Sequence, residues 1–352
     1  MDLSLERPIP PMLARLAREL PTGGFLYEPK WDGFRCLAFR AGGEIDLRSR
    51  HGRPLARYFP ELVEALLGLR RRRFVLDGEI VVAGGGGLDF ASLLARIHPA
   101  PSRVERLRRE TPASYVAFDL LALGGRDLSE RPFAERRRLL ADLLADAQPP
   151  LVLTPITAEP GVAEDWLERL GSGIDGVVAK HESLPYRPGE RAMVKVKRER
   201  TAECVVAGFR WLVDRPLPAS LLLGLYDDAR ELQHVGVASS FTETARHELL
   251  ERLRPLVVPL EGHPWEQGYL LGGGTTGRLP GSAGRWTPEM ELDWAPVEPE
   301  LVCEVGYDQV DGRRFRHPAR FVRWRPDRDP RSCTFDQLEV PRGELAELLP
   351  SR

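Results

Sequence analysis

The pattern of this chain changes near residue 200, and that change constrains the fold more than any other feature. Beyond it, five short apolar runs at 204–212, 221–226, 232–237, 301–310 and 321–324 read as strands, with one helical stretch at 242–253. Five short strands and one helix in about 150 residues point to a small β-barrel of the OB type. The Gly-, Thr- and Ser-rich stretch 272–284 reads as a loop.

The preceding 200 residues mix strands and helices. The periodicity predicts a short helix at 13–20, then strands at 25–28, 35–40 and 44–49, paired antiparallel around the Ala41-Gly42-Gly43 turn. A helix at 61–69 follows, and then a buried strand at 74–82 interrupted by a turn-like Asp77-Gly78. The glycines of 84–87 form a loop tip. Further helices are expected at 90–97, 132–147 and 163–170, and further strands at 114–121, 151–156, 176–180 and 192–197. The expected class is α+β, with domains 1–200 and 201–352.

Lys30, Lys180, Lys195 and Lys197 are the only lysines among 50 basic residues, and asparagine is absent. A GC-rich genome or a warm habitat accounts for the arginine bias, but not for the clustering of the surviving lysines. Arginine stays protonated in proteins, whereas a lysine can lose its proton and attack. The net charge of −2 excludes a uniformly basic nucleic-acid binder. Charge is uneven, however: +4 over 1–201 and −6 over 202–352, with eight arginines against two acids in 313–331. Such local basic stripes can bind phosphate. Cys36, Cys204, Cys303 and Cys333 are too dispersed for a zinc site or a disulfide framework. No apolar run is long enough to span a bilayer, and the first residues lack the pattern of a signal peptide. A cytoplasmic location is expected by default.

Several short runs carry candidate chemistry. In Glu28-Pro29-Lys30-Trp31-Asp32-Gly33-Phe34-Arg35, strand alternation would aim Lys30 and Asp32 into one cleft, beside the fixed cation of Arg35. Asp77-Gly78-Glu79 sets two carboxylates on an apolar strand, where they should face a ligand, metal or base. Asp175-Gly176 leads into the strand that ends at Lys180. Lys195 and Lys197 share a strand face, an arrangement that favours an anion between them, with phosphate the natural choice. Phe118, beside Asp119, offers a ring to a base, although on its own core packing is the better reading.

Taken in order, these runs, with Ser49-Arg50-His51-Gly52 and the final Arg323-Trp324-Arg325-Pro326-Asp327-Arg328, resemble the covalent nucleotidyltransferases. Among those, the chain is similar to the bacterial ATP-dependent DNA ligases. The stretches Tyr58-Phe59-Pro60-Glu61-Leu62 and Pro112-Ala113-Ser114 are similar to the compact two-domain actinobacterial ligase C type. The resemblance implies a nucleotidyltransferase (adenylation) domain of antiparallel sheets and helices followed by an OB-fold domain. It implies that Lys30 attacks the α-phosphate of ATP, that AMP passes to a 5′-phosphate at a nick, and that a 3′-hydroxyl then displaces it. Lys30, Asp32 and Lys197 are the implied catalytic residues. Glu28, Lys30, Arg35, Arg50, Glu79, Phe118, Lys195, Lys197 and Arg325 are the implied nucleotide-binding set, with Glu79 on the ribose, Phe118 on the adenine and Arg325 orienting pyrophosphate. Asp175, where the family usually has Glu, is the implied metal ligand together with Glu79, for Mg2+ or Mn2+. Lys180 fits the pattern without an assigned role.

ATP is expected over NAD because the 29 residues before Lys30 are too few for a nicotinamide-recognition domain. The implied partner is nicked duplex DNA, with repair polymerases, primases or end-binding proteins as candidate recruiters, and a monomer is expected. Two alternatives stay open: an RNA ligase or guanylyltransferase, and a non-catalytic module that binds nucleic-acid ends.

Overall fold

The computed structural model describes residues 9–84, 87–98, 100–169, 174–197, 200–266, 269–271, 274–278, 294–311, 313–338 and 349. Two compact units emerge, Met1–Arg198 with Val340–Arg352, and Glu199–Glu339. Leu349 packs with Trp31, Val81, Val116 and Ile174. The loop tip at 84–87 and the charged run at 197–200 fall partly outside the described residues, as does most of 272–284.

In the first unit, two sheets face each other. The larger is ordered Glu44–Ser49, Phe34–Ala41, Arg73–Gly84, Ala113–Leu123, Arg126–Asp127, all antiparallel, with Leu151–Leu153 added in parallel to Ala113–Leu123. Alternation along Phe34–Ala41 decides its two faces. Cys36 and Ala38 join the core that includes Leu62, Leu66 and Leu140 of helices Pro60–Gly68 and Phe133–Leu144. Leu37 and Phe39 instead meet Met12, Tyr186 and Met193. Those residues flank or belong to the smaller sheet, ordered Ala14–Ala17, Met193–Val196, Ile174–His181, Phe25–Trp31.

Two sequence expectations fail here, and one helix was missed. Residues 14–17 form a strand where a short helix was expected, paired in parallel with Met193–Val196. A segment this short gains too few helical bonds to offset nucleation, and the edge of a sheet satisfies its backbone instead. The Asp77-Gly78 step does not interrupt its strand: Arg73–Gly84 runs through it, with an irregular register toward Ala113–Leu123 between Asp77 and Gly78. Helix Pro101–Glu110 was not anticipated; its seven polar or charged residues leave only Val104 and Leu107 buried.

The second unit is a closed five-stranded barrel. Its strands are ordered Arg200–Trp211, Pro218–Tyr226, Leu232–Ser239, Ala319–Trp324, Trp294–Tyr307. Helix Glu243–Leu253 lies between the third and fourth of these along the chain and is capped by Thr242, whose hydroxyl accepts from the Ala245 N–H. Within 272–284, Gly274–Arg278 is a strand paired with Tyr269–Leu271 and not a loop. Among the described residues no helix is long and apolar enough to cross a membrane.

Candidate active site

A cavity of about 420 Å3 lies in the first unit, lined by Glu28, Lys30, Arg35, Arg50, Glu79, Phe118, Lys180 and Lys195, with Met12, Val178, Arg191 and Met193 among the others. Sheet register explains the convergence. Glu28 pairs with Val178, which on its other side pairs with Lys195. Glu28 and Lys30 stand two apart on one strand, as do Val178 and Lys180 on the next, so these side chains emerge on one face. From the larger sheet, Arg35 pairs with Glu79 and contributes the opposite wall.

Lys30 forms an ion pair with Asp175 Oδ2, which also lies 3.0 Å from Lys197 Nζ. Burial opposes ionisation of Asp175, but the two ammonium groups outweigh it and hold its carboxyl below the ordinary value. Asp175 is thus placed by a glycine. Gly176 has φ +133, and a Cβ there would sit 2.1 Å from the Val196 carbonyl oxygen. The register shift between Ile174 and Val177 lets the Asp175 carboxylate leave the ladder and reach both lysines. Burial lowers the Lys195 pKa, and Lys30 and Lys197 lower it further.

Asp32 does not share a strand face with Lys30. The strand ends at Trp31, and Asp32 stands in the turn to Phe34–Ala41, outside the lining of the cavity. The turn is tight because Gly33 packs on strand Arg73–Gly84, where a Cβ would lie 2.1 Å from the Ile80 carbonyl oxygen.

Asp77 does not face a ligand. It is wholly buried and accepts from Arg35 Nε and Nη2, both at 2.6 Å, and from the Tyr186 hydroxyl at 2.6 Å. Arg35 is therefore not a free cation: besides Asp77 it lies 4.4 Å over the Phe118 ring. Glu79 is half-buried in the cavity wall. Burial pushes its carboxyl up to about 8, against the pull of Arg35 and Lys30.

Phe118 is 8% exposed, so its ring offers the cavity little area, and Asp119 behind it is locked to Arg136 by two bonds of 2.8 and 2.9 Å. Lys180, left without a role by its sequence, is almost fully buried. Its Nζ lies 2.7 Å from Glu28 Oε2 and donates to the Phe118 carbonyl at 3.2 Å. Glu28 Oε1 is buried and has no hydrogen-bond partner. Sequence reasoning overlooked Met12, Tyr186, Val178, Arg191 and Met193. A period of two back from Lys180 and Lys195 would have found Val178 and Met193; Tyr186 gives no local signal.

In the barrel unit, Arg325 donates from Nε and Nη2 to Asp327 at 2.9 and 2.8 Å and pairs with Glu203, which also holds Arg328 at 2.7 Å. Hydrogen bonding to Arg325 draws the Asp327 carboxyl down to about 2.

Among the described residues no group of three or more His, Cys, Asp or Glu side chains could cage a metal. Carboxylate oxygens suit a hard cation that completes its shell with phosphate oxygens; Glu79 lines the cavity, and Asp175 adjoins it through its ion pair with Lys30.

Residues 11–197 match the ATP dependent DNA ligase domain, and residues 215–328 match the ATP dependent DNA ligase C terminal region. The chain is 48% identical over 344 residues to DNA ligase C2 of Mycolicibacterium smegmatis, covering 97% of each. It is 46% identical over 357 residues to DNA ligase C of Mycobacterium tuberculosis, covering 99% of each. A structure described as "DNA binding with a minimal scaffold: Structure-function analysis of Lig E DNA ligases" shares the fold, with a TM-score of 0.52 at 17% identity over 89% of this chain and 99% of the other. With both family regions present and near-complete coverage of relatives above 45% identity, the chain belongs to the ATP-dependent DNA ligase family.

Proposed function

We propose that the cavity of the first unit loads ATP, and that Lys30 Nζ, once its ammonium has released a proton to solvent, attacks the α-phosphorus as the bond to pyrophosphate breaks, leaving lysyl-AMP. The AMP then passes to the 5′-phosphate of nicked duplex DNA, and the 3′-hydroxyl displaces it to close the nick. The observation that carries this reading is the position of the Lys30 ammonium. It lines a cavity whose remaining wall joins a buried carboxylate and an aromatic edge, suited to a base, with further cations suited to phosphates.

The residue roles follow from chemistry. Asp175 holds Lys30 and Lys197 until an anionic nucleotide competes for those ammonium groups, after which Lys30 is released toward phosphorus. Lys195 and Lys197 offset charge that develops on the phosphates. Arg50 is exposed at the cavity and can reach phosphate. Arg35, fixed by Asp77, presents its remaining guanidinium edge to the nucleotide or to the nick phosphate. Ionised Glu79 accepts from a ribose hydroxyl, Phe118 packs against the base edge, and Glu28 Oε1 accepts from the 6-amino group of adenine. Asp32 assists the later, DNA-bound steps. Arg325, pre-oriented by Asp327 and Glu203, orients pyrophosphate in the first step. Mg2+ or Mn2+, held by Asp175 and Glu79 with nucleotide oxygens, would supply further neutralisation of phosphate charge. In this reading the protein acts as a monomer in DNA repair, and repair polymerases, primases or end-binding proteins recruit it.

Incubation with α-labelled ATP and, separately, α-labelled GTP tests the assignment. Covalent label from ATP, lost in Lys30→Arg, and sealing of a nicked duplex are expected. Label from GTP alone would show a guanylyltransferase instead.

A further inference from the structure

We propose that Tyr186 is a positioning residue: its hydroxyl, bonded to both Asp77 and the peptide of residue 12, closes a circuit of hydrogen bonds that aims the Nη1 edge of Arg35 at phosphate in the cavity. The inference rests on the reading of the cavity as the site of nucleotide loading and nick sealing.

The circuit is continuous. The Met12 N–H donates to Tyr186 Oη at 3.0 Å, and the Tyr186 hydroxyl donates to Asp77 Oδ2 at 2.6 Å. The same Oδ2 accepts from Arg35 Nη2 at 2.6 Å, and Nη2 also donates to the Met12 carbonyl at 3.3 Å, which returns the circuit to residue 12. Arg35 Nε holds Asp77 Oδ1 at 2.6 Å, and the guanidinium lies 4.4 Å over the Phe118 ring. The aromatic face fixes the plane of the guanidinium, while Asp77 and Met12 fix its rotation within that plane. With Nε and Nη2 committed to the protein, Nη1 is the nitrogen left for a ligand. Asp77 is wholly buried, whereas 22% of the Arg35 side chain is exposed and Arg35 lines the cavity, so the uncommitted edge is the one that reaches it.

A hydroxyl donates and accepts at once, and this position uses both capacities. Tyr186 is 1% exposed, stands between strands Ile174–His181 and Met193–Val196, and has its backbone N–H held by the Ser129 carbonyl at 2.7 Å. Through Met12 it also steadies residues 11–14, all of which line the cavity. Tyr186→Phe would keep the aromatic ring but leave the Met12 N–H without its acceptor and Asp77 with Arg35 alone. The charge of Arg35 would stay in the cavity wall, and its guanidinium would be free to tilt. A tyrosine that only packs the layer between the two sheets predicts a loss of stability with no dependence on Arg35.

The experiment measures kcat and KM for labelling by ATP and for sealing of a pre-adenylylated nick, in the parent, Tyr186→Phe, Arg35→Lys and the double variant. Arg35→Lys should slow labelling if Nη1 serves the nucleotide, sealing if it serves the nick phosphate, and both if it serves each in turn. In the same assay Tyr186→Phe should lower kcat by about 10-fold or more and leave KM within about 3-fold of the parent, because the charge stays and only its aim is lost. Added to Arg35→Lys, it should cost less than about 2-fold, since a lysine has no planar fork to aim. Parent-like kcat in Tyr186→Phe, or a loss confined to KM, would overturn the role, as would an Arg35→Lys variant as fast as the parent. An equal fold-loss from Tyr186→Phe in both backgrounds would overturn it too, and would leave a residue that only packs the core. A parent that neither takes label from ATP nor seals the nick would instead sink the reading of the cavity. If melting curves show that Tyr186→Phe does not fold, Asp77→Asn decides, because the circuit runs through that carboxylate: parent-like kcat there overturns the proposal.

Discussion

Asp77 holds Arg35 through two hydrogen bonds of 2.6 Å, one to each carboxylate oxygen. The arginine expected to serve phosphate directly is thus first a structural partner, stiffened from below by a wholly buried acid. Tyr186 completes the arrangement, donating to the same carboxylate and accepting from the Met12 N–H at 3.0 Å. Removing one partner of such a pair leaves an uncompensated charge. Asp77→Ala should therefore lower the unfolding free energy by about 3–5 kcal/mol in urea titrations. A change below about 1 kcal/mol would mean that the pair is not holding the two sheets' facing layer.

Lys30→Arg keeps the charge and its Asp175 partner but has no nucleophilic amine. Its melting temperature should stay close to the parent's. Labelling by ATP should vanish, while a nick supplied already adenylylated should still be sealed, because that step needs no free amine at position 30. Label recovered on residue 30 of the variant would contradict the mechanism.

Asp175→Asn leaves Lys30 and Lys197 without their shared carboxylate. Labelling should fall by about 100-fold or more, in the range typical for loss of one electrostatic contact at a reacting centre. Single-turnover labelling at saturating ATP separates this from weaker binding.

Burial pushes Glu79 up to about 8, with Asp32 and Asp77 adding to the rise and Arg35 and Lys30 opposing it. Between the ordinary carboxylate range and about pH 8, the folded protein keeps a proton that the unfolded chain has released. Stability from this group therefore falls as pH rises through that window. Nucleotide loading should respond in the opposite sense, since ionised Glu79 is a stronger acceptor for a ribose hydroxyl than the protonated acid. The kcat/KM for labelling should climb as pH passes about 8, and Glu79→Gln should flatten that limb of the profile.

Arg325→Ala should impair labelling by ATP by about 100-fold and leave sealing of a pre-adenylylated nick nearly unchanged, if its task is the pyrophosphate of the first step. Equal loss in both assays would place Arg325 on DNA instead.

Much of this protein was legible in one dimension. Alternation along 35–40 assigns the two faces of its strand, because a strand's side-chain period of two survives any tertiary context. The barrel strands and the helix at Glu243–Leu253 announce themselves by run length. The ordered motifs place Lys30, Glu79, Phe118 and Lys195 at one cavity. Other features depend on partners far away in sequence. Whether residues 14–17 are helix or strand is decided by the edge offered at 193–196. Asp77 and Glu79 look alike in the sequence, yet one meets Arg35 and Tyr186 in the core and the other faces the cavity. Lys180 is the clearest case: its sequence neighbours give it no task, and only the offset of two strands brings it to Glu28. The sequence by itself determined which chemical groups are available and, along an unbroken strand such as 35–40, which face each occupies. Tertiary structure alone decided which of those groups neutralise one another and which remain free for a ligand, because burial and pairing are properties of strands brought together from distant parts of the chain.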